Sequence, residues 1–211
     1  HWMVRRQRQM CIRDSAMSPE HISAYTLTAE KGTELFSMVL NNKLKMPKKA
    51  QEGKWFLKTH EILSRNGYQA YEVSSFSKPG YECNHNLHYW NIEPYLAFGP
   101  SAHGFDGQYR WNNSRSLDQY ISCILAGKSA ISMREKLSVI EHINEKIGFG
   151  LRMKKGFEIK DIPENYQKLI KNNIENSQEK YPDCINTESD NVTFTQKGML
   201  YADELIPSIL L

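Results

Sequence analysis

Tyr68-Gln69-Ala70-Tyr71-Glu72-Val73-Ser74-Ser75-Phe76, which follows Asn66-Gly67, decides what kind of fold this sequence encodes. Asn-Gly commonly ends a helix, and beyond it large and polar residues alternate. Tyr71 and Val73 fall on one side of an extended chain and Glu72 and Ser74 on the other, so residues 68–75 read as a strand. Upstream, Trp55, Phe56, Thr59, Ile62 and Leu63 share one face at helical spacing and predict a helix over residues 50–65. Further back, over residues 21–28, Ile22, Ala24 and Thr26 alternate with Ser23, Tyr25 and Leu27 as another strand. Strand, helix and strand in this rhythm predict a βαβ crossover with parallel strands, hence an α/β barrel or open sheet. Polar Glu72 and Ser74 leave two readings open: a barrel interior facing a ligand, or a rim strand with one wet face.

After a Pro79-Gly80 turn comes Tyr81-Glu82-Cys83-Asn84-His85-Asn86-Leu87-His88-Tyr89-Trp90. Imidazole nitrogens can ligate a metal, and aromatic faces can lie against a flat conjugated ligand. In a helical turn, His85, His88 and Tyr89 would share a face. The competing reading makes Tyr89 and Trp90 core aromatics and the asparagines turn caps, and composition alone favours it. Two histidines three apart do not specify a metal. A second candidate is Phe98-Gly99-Pro100-Ser101-Ala102-His103-Gly104, a glycine-containing loop after a candidate strand at 95–98, with a short hairpin element expected at 108–111. In a parallel barrel such a loop lies on the catalytic face; otherwise it is a tight turn. Residues 43–49 and Lys154-Lys155 are basic patches that could meet propionates or phosphates, or simply be solvated.

From Ser116 the pattern turns helical. Leu117, Tyr120, Ile121, Ile124 and Leu125 form one amphipathic stripe, Ile140, Ile143, Ile147 and Leu151 a second, and Tyr166, Leu169, Ile170 and Ile174 a third. Residues 184–187 and 192–195 flank Ser189-Asp190-Asn191 as a hairpin, and Thr195 caps a final helix. This order predicts a winged-helix-like C-terminal domain, with the boundary within residues 126–136. Residues 195–211 carry Lys197 against Asp203 and Glu204, too acidic for a DNA-recognition helix, so no nucleic-acid partner is expected.

The net charge of +3 has a local origin. Arg5, Arg6, Arg8 and Arg13 face Asp14 alone near the N-terminus, and the rest of the chain is balanced. This first segment lacks apolar periodicity and a signal-peptide core. Residues 1–20 are read as a non-native appendage, residues 21–126 as the barrel part, and 127–211 as the helical domain. Cys11, Cys83, Cys123 and Cys184 form no CxxC pair and no disulfide framework. No apolar run approaches membrane-spanning length, so a cytoplasmic protein is expected.

Taken in order, the motifs resemble the radical S-adenosylmethionine family of oxygen-independent coproporphyrinogen III oxidases and the related HemW-like haem chaperones. Residues 21–28 with Lys31-Gly32-Thr33 resemble that family's strand and "x-P-G-T" turn, with Lys31 in place of proline. Tyr71-Glu72-Val73-Ser74-Ser75-Phe76-Ser77-Lys78-Pro79-Gly80 resembles its "Y-E-I-S-N-F-A-x-P-G" run. His85-Asn86-Leu87-His88-Tyr89-Trp90 fits the HNxxYW motif of the chaperone branch. Gly99-Pro100-Ser101-Ala102-His103 resembles "G-P-G-A-H", with Ser101 where glycine is usual. Val192-Thr193-Phe194-Thr195-Gln196-Lys197-Gly198 resembles the "L-T-x-x-G" run that leads into the last helix.

The resemblance implies an α/β fold: the C-terminal part of a radical-SAM partial TIM barrel, followed by the winged-helix-like helical domain. It implies haem binding by His85, Asn86, Tyr89 and Trp90, with His85 toward the haem iron, and S-adenosylmethionine contacts at Ala24 and His103. Haem or porphyrin and haem-receiving proteins are the implied partners. The family's CxxxCxxC loop, whose thiolates hold a [4Fe–4S] cluster, has no counterpart among these four cysteines. The chain is thus expected to be a C-terminal fragment, unable to catalyse radical chemistry alone. The function implied is haem chaperoning, with coproporphyrinogen III oxidation as the alternative.

Overall fold

In the computed structural model the described residues are 13–211, so Arg5, Arg6, Arg8 and Cys11 lie outside them. Three small antiparallel sheets carry the strands: β1(His21–Ser23), β2(Gln69–Ala70) and β3(Ser75–Ser77) form the first, in the order β1-β3-β2. Helices α1(Glu34–Leu40) and α2(Lys49–Arg65) connect β1 to β2.

The opening stretch is therefore a hairpin, which corrects the expectation of one strand paired in parallel. β1 and β2 do run the same way, but β3 lies between them, antiparallel to both, with Ile22 opposite Phe76 and Ala70 opposite that same residue. The reversal happens at Glu72–Ser74. The Glu72 carboxylate accepts from the Ser74 amide at 3.1 Å, and Tyr71 N–H donates to the Ser75 carbonyl. Glu72 is buried, its carboxylate closing the turn. The turn is held from outside, because Val73 N–H donates to the Arg152 carbonyl and Lys154 N–H to that of Tyr71.

Helix α3(Asn84–Trp90) follows, then β4(His103–Phe105) and β5(Tyr109–Asn113). The candidate strand at 95–98 reduces to one bridge, Tyr95 to Phe105. After α4(Leu117–Leu125), β6(Ile131–Lys136) pairs with β5 to complete the second sheet, in the order β4-β5-β6. The segment read as a domain boundary thus contains a strand.

The main core belongs to the C-terminal part. α5(Val139–Arg152) starts in a full capping box, Ser138 with Glu141. It is followed by β7(Phe157–Glu158), a 3-10 turn Ile159–Asp161, α6(Glu164–Lys180) and the hairpin β8(Ile185–Glu188)–β9(Asn191–Phe194). The sheet order β7-β9-β8 beside these helices is the winged-helix arrangement. Where one final helix was expected there are two, α7(Gln196–Leu200) and α8(Ala202–Ile209), with Thr195 capping the first. Ile147, Leu151, Ile170, Val192, Leu205 and Ile209 are completely buried together. A smaller core of Leu63, Tyr68 and Phe76 sits under the first sheet.

Candidate functional site

Helix α3 has seven residues and no buried one, so it is held by side chains on chosen sides. Asn86 and Trp90, four apart, share the inward face. Asn86 Nδ2 donates to the Tyr71 hydroxyl at 3.1 Å, and Trp90 packs edge-on against Phe149 of α5 with ring centres 5.7 Å apart. Tyr71 is also 2.9 Å from His21 Nε2. Tyr71 thus joins β1, the hairpin and α3 through these two hydrogen bonds.

His85 and Tyr89 share the outward face. Both are exposed, and their rings meet edge to face at 4.9 Å. Tyr89 then meets Tyr95 edge-on at 4.6 Å, and Tyr95 lies tilted against Phe105 at 6.2 Å, so an aromatic chain links the outward face to β4. His88 is committed otherwise: Nδ1 lies 2.8 Å from Glu93 Oε2 and Nε2 2.7 Å from the Pro94 carbonyl, closing the loop behind the helix. No hydrogen-bond partner among the described residues engages the His85 ring. The motif's two imidazoles therefore differ. His88 braces the loop, and His85 keeps a nitrogen lone pair available to a ligand.

The four HNxxYW residues do not converge on one pocket. A cleft of about 560 Å³ opens at the C-terminal end of α3, lined by Trp90, Asn91 and Ile92 together with α5 and the β7 region, and His85 and Tyr89 are not among its walls. Ala24 lies just beyond β1, where its amide donates to the Ser74 carbonyl at 2.8 Å, beside a small cavity of about 50 Å³ under Trp55 and His60. His103 is exposed as the first residue of β4, not in the loop after a strand. Behind it Gly104 passes against the Trp111 ring, where a Cβ would collide. Three residues that matter here escaped sequence reading, Tyr71 as anchor, Phe149 as the Trp90 platform and His142 in the cleft wall. The signal for the last was the series His142, Lys146, Gly150 that flanks the apolar stripe of α5.

Among the described residues no three His, Cys, Asp or Glu side chains gather as a metal-ion site. Cys83, Cys123 and Cys184 are separate free thiols, so these residues do not fit an iron–sulfur cluster. An accessible, unpartnered imidazole beside a tyrosine does fit an axial haem ligand.

No protein-family model matches the sequence. The haem chaperone HemW of Bacillus subtilis (strain 168) is 29% identical over 199 residues, covering 92% of this chain and 52% of that protein. The chain is similar in sequence to curated HemW haem chaperones. A mitochondrial radical S-adenosyl methionine domain-containing protein 1 of Danio rerio is 26% identical over 205 residues, 91% of this chain and 46% of that one. Among solved structures, coproporphyrinogen III oxidase (HemN) of Escherichia coli, described as a radical SAM enzyme, superposes with a TM-score of 0.70 at 15% identity, over 93% of this chain and 49% of that one. The chain thus has the α/β fold of the C-terminal part of that enzyme. It spans about half the length of the curated relatives it matches.

Proposed function

We propose that this chain is the haem-handling part of a HemW-like haem chaperone, which binds haem and passes it to haem-dependent proteins in the cytoplasm. The observation that carries the reading is the His85 imidazole: exposed, without a hydrogen-bond partner among the described residues, and set on a helix anchored through its opposite face. A chaperone must release what it holds, and a ligand on an open face suits hand-over better than one sealed in a core. His85 would hold the iron by its neutral nitrogen and Tyr89 would lie beside the ring, while Asn86 and Trp90 fix the helix. Bound haem would supply an iron centre for delivery, and the residues present do nothing to it beyond binding. S-adenosylmethionine, contacted in the relatives' pattern by Ala24 and His103, and a [4Fe–4S] cluster would belong to the radical SAM assembly of the intact protein.

The test is a haem titration of the purified protein. A Soret shift is expected, abolished or strongly altered in His85→Ala. An identical spectrum in that variant would count against the reading. The structural likeness to the E. coli oxidase favours one alternative, oxidation of coproporphyrinogen III. Anaerobic conversion of that substrate by the full-length protein, which would have to supply the cluster that these cysteines do not hold, would establish it instead.

A further inference from the structure

The cleft behind the HNxxYW helix has walls of a different character from its exposed face. Its volume of about 560 Å³ is within the range of small-molecule sites. Trp90 and buried Phe157 and Met153 supply flat and apolar surface. His142 and Lys146 reach it from successive turns of α5, and Lys155 stands at the rim. Gly150 continues that series, and since a Cβ there would strike Phe157, the glycine lets β7 pack closely and shapes the back wall.

The cations of this cleft are not equivalent. Lys146 is paired with Asp161 at 3.3 Å, and Glu158, the other acidic wall residue, is met by Lys160 at 3.6 Å. Lys155 has no carboxylate within ion-pair distance among the described residues. Its Nζ donates at 2.6 Å to Asn91 Oδ1, at the C-terminal cap of α3. A lysine held only by a neutral amide has its charge unmatched, and an incoming anion can take it over. The site therefore combines a flat aromatic wall with one uncommitted cation at its mouth.

We propose that this cleft is a second tetrapyrrole seat, separate from the His85 face, which takes a flat porphyrin ring edge-first with a ring carboxylate on Lys155. The inference rests on the tetrapyrrole reading of the preceding section but assigns a different face and different residues. Because Trp90 lines the cleft, occupancy quenches tryptophan emission. A metal-free porphyrin has no iron for His85, and it is dependence on Lys155 that assigns the signal to this seat.

The experiment titrates the purified protein with metal-free protoporphyrin IX, following tryptophan emission, in the parent, Lys155→Glu and Lys128→Glu. Lys128 is exposed after α4 and does not line the cleft, so it controls for charge reversal by itself. Loss of a charge-assisted contact should weaken porphyrin binding about tenfold or more in Lys155→Glu, with Lys128→Glu like the parent. Equal binding by both variants would overturn the proposal, as would no quenching in the parent. A haem Soret band that still depends on His85 would then leave the chaperone reading standing. The reverse result, Lys155-dependent porphyrin binding with a haem band indifferent to His85, would remove the exposed face and keep the cleft.

Discussion

His60 is the residue whose environment most clearly opposes its charge. It is buried between Phe56 and Phe76, with ring centres 4.4 and 4.7 Å away, and its Nε2 has no partner among the described residues. Burial lowers its pKa to about 4. Above the usual value near 6.5 both folded and unfolded chains hold it neutral. Below that, the unfolded chain takes up a proton that the folded one refuses until about pH 4. Stability is thus fully present above pH 6.5 and falls as the pH drops toward 4, by roughly 2–3 kcal/mol. Urea midpoints at pH 7 and pH 5 should differ in the parent, and the difference should shrink in His60→Phe. An equal pH dependence in that variant would put the titration elsewhere. Periodicity placed His60 on its helix, but nothing in the sequence revealed its aromatic sandwich, because Phe76 comes from the return strand that was not anticipated.

Among the elements, helices were the most legible. The spacing-based helix over 50–65 is α2 within a residue, and the hairpin around Ser189-Asp190-Asn191 is present. Strands were less so, for a physical reason: these are two to six residues long, too short for alternation to outweigh turn chemistry. Ser75-Phe76-Ser77 offered no β-branched signal, yet it forms the central strand of its sheet. In the candidate site the sequence offered a helical turn as one possibility, with His85, His88 and Tyr89 on one face. His88 instead braces the loop through Glu93 and Pro94, and the inward face depends on contacts to Tyr71 and Phe149 that spacing does not reveal. Two substitutions test elements directly. Ser138→Ala removes a capping-box hydroxyl from α5 and should cost about 1 kcal/mol, seen as a lower thermal midpoint with unchanged secondary structure. Gly198→Ala should be far worse, since a Cβ there runs into the Cys184 carbonyl, which cannot move without breaking the Thr195 contact to it. Loss of cooperative unfolding in Gly198→Ala is expected, and a parent-like melt would show the hairpin can yield.

The molecule as a whole buries one side far better than the other. Leu117, Ile121, Ile124 and Leu125 of α4 are 58%, 44%, 53% and 84% exposed. The neighbouring loop, tied to α4 by Gly99 N–H donating to the Tyr120 hydroxyl, adds Leu96 and Phe98. A contiguous apolar surface of this kind promotes self-association. The purified chain should bind an apolar dye and sediment as mixed species, and Ile124→Lys with Leu125→Lys should reduce both without lowering the thermal midpoint. A monodisperse, dye-negative parent would contradict this. None of the described helices is long and apolar enough to cross a membrane.

Helix α3 lies at the opposite extreme from α5, with no buried residue, two long-range side-chain attachments, Asn86 to Tyr71 and Trp90 to Phe149, and a third at its cap, Asn91 to Lys155. Such a segment opens without the rest of the molecule unfolding. Its amides should exchange with deuterated water long before those of Ile147 or Leu151, and a ligand on either side of the helix would slow them. The seven residues that carry the motif are then also a clock for its occupancy.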